Sequence, residues 1–166
     1  MIKFFLICSL VSISAFAANR EHKAHNHGAA KLDIAFQGSD GEVNLDAAAE
    51  GIYGFEYVPK TEADKKKQHD TFALIETNIA DMVKFDADLK CEFNKTKIEV
   101  DQQDKHSDIE ASFKVICQKS PIGSTITFNL QKTFPKLKEV SVQVIVDDLQ
   151  KSTKVKKDGT KLVLKK

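Results

Sequence analysis

The chain has 166 residues, with 25 Lys and Arg against 24 Asp and Glu, a formal net charge of +1. That balance leaves no extended basic field for nucleic acid or anionic lipid, so neither partner class is expected as a principal ligand. Charged residues make up 30% of the chain, and beyond the first seventeen residues no apolar run reaches the roughly twenty needed to span a bilayer. Met1-Ile2-Lys3 opens a short apolar segment that ends in Ala15-Phe16-Ala17. One lysine, a short apolar core and an Ala-x-Ala end are the pattern of a cleaved secretory signal. We therefore expect residues 1–17 to be a signal peptide, 18–28 a histidine-containing N-terminal segment, and 29–166 a single soluble domain.

Directly after the leader come His22, His25 and His27. Ala30, Leu32, Ile34 and Phe36 then alternate with polar or small residues, the period of a half-buried strand. Gly38-Ser39-Asp40-Gly41 is rich in turn formers, and Val43, Leu45 and Ala47 resume the alternation, so a β-hairpin is expected. Gly51 to Pro59 mixes two glycines and a proline with aromatic residues, which reads as an ordered loop packing its rings on the core. Thr61 with Asp64 resembles a capping box, and Phe72, Ile75, Ile79, Met82 and Val83 give one apolar face to a helix expected to run to about Phe85 and to lie on a sheet.

The second half reads as β. Leu89, Cys91 and Phe93 alternate, Ile98 and Val100 follow, and Asp101 to Asp108 form a polar break. Ile109, Ala111, Phe113, Val115 and Cys117 make the clearest strand. Ile126, Phe128 and Leu130 suggest another, Val140 to Val146 a third, and Asp158-Gly159 a hairpin turn joining a strand at Val155 to Leu162 and Leu164. The expected fold class is α+β, a mainly antiparallel β-sheet with one long helix packed on it and one disulfide. Cys8 leaves with the leader, so Cys91 and Cys117 remain. In an oxidising compartment the pair most simply forms a disulfide; thiolate metal ligation is the competing reading.

Three of the five histidines lie in Glu21 to Gly28. Imidazole suits borderline metals, Zn²⁺ foremost and also Cu²⁺ and Ni²⁺. If the first strand's alternation extends backwards, His25 and His27 share the polar face with Lys31 and Asp33. By the same parity, His106, Asp108 and Glu110 share the polar face of the strand that ends at Cys117. If those two strands are neighbours, His25, His27 and His106 converge as a three-histidine zinc site, with His22 and Asp108 as second choices. His69, in the polar half of the helix, reads as a solvated surface residue. The chain has no HExxH, CxxC, GxSxG or Gly-rich phosphate loop. A non-enzymatic protein is therefore expected, and no catalytic residue is assigned. The rival from another class is a secreted protein-interaction or adaptor module whose histidines are an incidental tail.

His25-Asn26-His27-Gly28-Ala29-Ala30 before a strand, Gly54-Phe55-Glu56 before a proline and a helix, Cys91 after it, and His106-Ser107-Asp108-Ile109-Glu110-Ala111-Ser112-Phe113 leading to Cys117 occur in that order. With Phe134-Pro135 before the valine strand, they resemble the ZrgA-type periplasmic zinc-binding proteins of Gram-negative bacteria. The resemblance covers nearly all of the chain after the leader. It implies a periplasmic protein that binds Zn²⁺ and assists zinc acquisition, holding metal near an importer or its binding protein. Two departures stand out. Glu92 to Lys105 lacks the histidine-rich insertion usual there, and Tyr57 stands where a histidine often follows Gly-Phe-Glu.

Overall fold

A computed structural model describes residues 27–165. The expected signal peptide at residues 1–17, His22 and His25 lie outside the described residues. The fold is α+β with mostly antiparallel sheets, one long helix and a Cys91–Cys117 disulfide.

Strands β1 (Ala29–Gln37) and β2 (Asp40–Ala48) form the expected hairpin. A short helix, α1 (Ala49–Ile52), follows at once. The long helix α2 (Glu62–Met82) starts where Thr61 accepts a hydrogen bond from the Asp64 amide at 3.1 Å, an N-cap that satisfies one of the first turn's open donors. It ends three residues before Phe85, because Val83–Phe85 forms a strand of its own, β3. Its buried valine and phenylalanine flank an exposed lysine, the two-residue period of a strand, so the helix stops short of Phe85.

Next come β4 (Glu92–Gln103), β5 (His106–Ile116), β6 (Thr125–Phe128), the short helix α3 (Leu130–Thr133), β7 (Glu139–Val146), β8 (Leu149–Val155) and β9 (Thr160–Val163). Several expectations shift here. Leu89 closes a single 3-10 turn (Ala87–Leu89) and Leu130 begins a helix, so neither continues a strand. The polar break is almost wholly strand, and only Asp104-Lys105 turn, with Asp104 at φ 44°. β8 and β9 are not hairpin partners: β8 pairs with β7, and β9 pairs with β6.

Two sheets result, one of six strands in the order β4-β5-β2-β1-β7-β8 and one of three in the order β3-β6-β9. All pairings are antiparallel except β1 with β7. One face of the larger sheet is buried. Leu32, Ile34, Val43, Leu45, Ile109, Phe113, Val142 and Val144 share a continuous core with Ile75, Ile79 and Met82 of α2 and with Ile126 and Phe128 of the small sheet. This explains the strength of the alternation along these strands, since shifting any of them by one residue would move its whole apolar set into water.

The topology also fixes where chemistry gathers. β1 and β5 both run antiparallel to β2, so their starts lie at the same end of the sheet as the end of β2. The opposite end is closed by the disulfide, beside the Glu92–Ile116 pair.

Candidate metal centre

β1 and β5 are not neighbours, because β2 lies between them. The two histidines meet nonetheless. His27 is not on the strand but in a turn with Gly28, whose φ is +83°. That backbone region suits glycine, and a Cβ at Gly28 would stand 2.7 Å from the Lys136 carbonyl oxygen. The Gly28 carbonyl accepts from the Lys138 amide at 2.7 Å, which ties the turn to the chain entering β7. The turn breaks the parity extrapolated back from β1, and His27 reaches the end of the sheet by a different route. Its ring centroid lies 6.4 Å from that of His106, the first residue of β5.

Two carboxylates complete the cluster. Glu50 stands in α1, directly after β2. Glu56 follows in the loop after α1, which takes up Gly51 and Ile52 of the expected loop; there Tyr53 and Phe55 are buried and their rings lie 4.5 Å apart. Phe55 stacks in turn on the exposed Tyr57 at 4.6 Å, so Tyr57 is the ring of this loop that does not pack into the core. Between these rings, Glu56 turns to the imidazoles: Oε2 lies 2.7 Å from His106 Nδ1 and Oε1 lies 3.2 Å from His27 Nδ1. His27 Nδ1 is also 2.5 Å from Glu50 Oε2. His27, Glu50 and Glu56 each offer a donor atom, all within 4.8 Å of one another, close enough to share one metal ion.

Burial makes the cluster asymmetric. The Glu56 side chain is 10% exposed, whereas Glu50 is 41% and His27 57% exposed. Glu56 Oε1 is buried without a hydrogen-bond partner although Nδ1 of His27 is near. A single N–H can serve only one carboxylate well, and Glu50 is the closer. Leaving a buried acceptor unpaired costs about 1–3 kcal/mol. A divalent cation at the same point would bind all three donors at once. In tetrahedral zinc, ligand atoms at 2.0–2.2 Å from the ion stand about 3.4 Å from one another, within the span already present.

Of the five residues singled out as ligands, the structure places His27 and His106 together around Glu56. His22 and His25 lie outside the described residues. Asp108 is not in the metal-binding group; its charge acts on Asp46, whose carboxyl is held above its ordinary range by burial and then by Asp108 and Glu110. His69 lies on the exposed face of α2, 3.8 Å from Asp70. Cys91 and Cys117 are bonded to each other and offer no thiolate.

Glu50 and Glu56 escaped the sequence reading because carboxylates are common and no spacing rule joins a loop to a strand start. One sign was available. Glu56 is the sole charged residue between Gly51 and Pro59, a lone charge among aromatic and aliphatic neighbours.

A family model described as ZrgA family zinc uptake protein matches residues 24–164. The chain belongs to the ZrgA family. No curated protein matches it. In this ZrgA-family protein the matched span includes all four residues of the cluster, and no helix among the described residues is long and apolar enough to cross a membrane.

Proposed function

We propose that this protein is a periplasmic, non-enzymatic zinc carrier that holds Zn²⁺ between His27, Glu50 and Glu56 and passes it toward an importer. The observation that carries this reading is the buried Glu56 oxygen that makes no hydrogen bond yet faces an imidazole 3.2 Å away and a second carboxylate. In the metal-free state, the proton on His27 Nδ1 stands in for the ion. Zinc takes that nitrogen's lone pair, the proton passing to water, and satisfies both carboxylates. His106 holds the other Glu56 oxygen and so fixes the angle at which Glu56 meets the metal, as outer partners of metal ligands do.

Half-exposed His27 and Glu50 leave one side open to solvent, which suits a carrier that must release its cargo. Because imidazole must shed its proton to ligate, zinc binding releases protons and weakens in acid. Zinc is taken from the family the chain belongs to; imidazole and carboxylate donors also suit Cu²⁺ and Ni²⁺, which are the competitors to measure against.

Calorimetric titration of Zn²⁺ into the wild type and into His27→Ala and Glu56→Gln tests the assignment. Each variant is expected to bind at least about 100-fold more weakly, beyond the 10- to 100-fold that outer partners are worth. Wild-type affinity in both variants would refute it.

A further inference from the structure

Gln102, near the end of the edge strand β4, makes two side-chain hydrogen bonds, both to backbone carbonyls of cluster residues. Its Nε2 donates to the Glu56 oxygen at 3.2 Å and to the His106 oxygen at 2.9 Å. Both partners are acceptors only, so the amide must present its NH₂ end to them. Glu56 and His106 are fifty residues apart in sequence and joined at their side chains by the 2.7 Å contact. Gln102 joins the same two residues at their backbones. The loop after α1 is otherwise anchored by its rings and by the Tyr53 and Gly54 amides, which donate to the Ala49 carbonyl at 2.9 and 3.2 Å; these hold the chain up to Phe55, and the Glu56 peptide needs a restraint of its own. Two hydrogen bonds from one half-buried amide supply that restraint.

We infer that Gln102 is a positioning residue for the metal site, a clamp that sets the Glu56 carboxylate against His106 before any ion arrives. The inference rests on the zinc site proposed above. Pre-organisation of this kind raises affinity, since the ion need not order the loop as it binds.

The adjacent Gln103 provides an internal control. Its backbone pairs with His106 in the β4–β5 ladder just as that of Gln102 pairs with Ser107, but its side-chain amide donates to Asp101 at 2.8 Å, on the same strand, instead of to the cluster. The test compares Gln102→Met, which keeps the length and removes the donors, with Gln102→Ala and Gln103→Ala. Zn²⁺ affinity is read by calorimetry, and the d–d spectrum of the Co²⁺-loaded protein reports ligand geometry. Both Gln102 variants are expected to bind Zn²⁺ about tenfold or more weakly with an altered Co²⁺ spectrum, while Gln103→Ala leaves both unchanged. Gln102 variants that match Gln103→Ala in affinity and spectrum overturn the clamp.

Should the Gln102 variants fail to fold, the wild type still decides. Its Gln102 side-chain NH₂ resonances are expected to shift on Zn²⁺ titration and saturate with the site, and resonances that stay fixed overturn the inference. Failure of the underlying site looks different. Glu56→Gln would then bind Zn²⁺ as well as the wild type does, whereas a wrong assignment of Gln102 alone leaves the Glu56→Gln loss intact.

Discussion

The two ends of the six-stranded sheet are closed by different chemistry. At one end a covalent bond joins Cys91 to Cys117, the Cys117 amide donates to the Ser39 carbonyl at 2.9 Å, and the Gly38 amide donates to Asp147 at 2.9 Å. At the other end His27, Glu50, Glu56 and His106 crowd together with one buried oxygen unpaired. The first end is complete as folded. The second carries a buried carboxylate oxygen without a hydrogen bond, at the point where the proposed cation would bind. On the proposed reading the covalent cross-link lies at one end of the strands and ligand affinity at the other, so the two should be separable by mutation.

Breaking the disulfide gives the largest effect. Opening a bridge between residues 26 apart should cost about 3.5 kcal/mol of folding stability in the chain-entropy model. Denaturant unfolding of Cys91→Ser/Cys117→Ser measures this, and Zn²⁺ affinity of the fraction that stays folded should match the wild type. A parallel fall in affinity would mean that the ends are coupled.

Glu56→Ala should do the reverse, weakening Zn²⁺ at least about 100-fold, roughly 2.7 kcal/mol, while changing the unfolding of metal-free protein by less. His106→Ala comes next, about tenfold in affinity, because it orients Glu56 without being assigned to the ion itself. A loss as large as that of Glu56→Ala would move His106 into the coordination sphere.

The smallest effect concerns the open face of the sheet beside the metal end. Burial and the charges of Asp108 and Glu110 raise the Asp46 carboxyl above its usual 3.8. The folded state therefore favours protonated Asp46, and stability is lost as pH rises from 3.8 through the raised value. Asp46→Asn should be slightly more stable than wild type at pH 7, an advantage that disappears below pH 3.8. Thermal melts at both pH values show whether it does.

Much of this fold is legible in the sequence wherever a strand has one dry and one wet face. β1, β2, β5 and β7 alternate cleanly because their inner residues, such as Leu32, Leu45, Ile109 and Val142, are almost wholly buried. Legibility fails for elements too short to show a period, such as α1 and the 3-10 turn at Leu89, and for partner choice. Nothing local to Val155 or Leu162 reveals that their strands belong to different sheets. The site divides the same way. His27 and His106 stand out as rare residues at strand starts, but their meeting depends on β2 passing between β1 and β5, and on a glycine turn that the alternation could not foresee.

The central claim is that the open end of the sheet binds zinc through Glu56. A crystal structure of the Zn²⁺-soaked protein, with anomalous scattering recorded at the zinc edge, tests it most directly. The account predicts a single strong peak between His27, Glu50 and Glu56, with His106 still bonded to the far oxygen of Glu56. A peak elsewhere, with Glu56 unmoved and bare of metal, would contradict it.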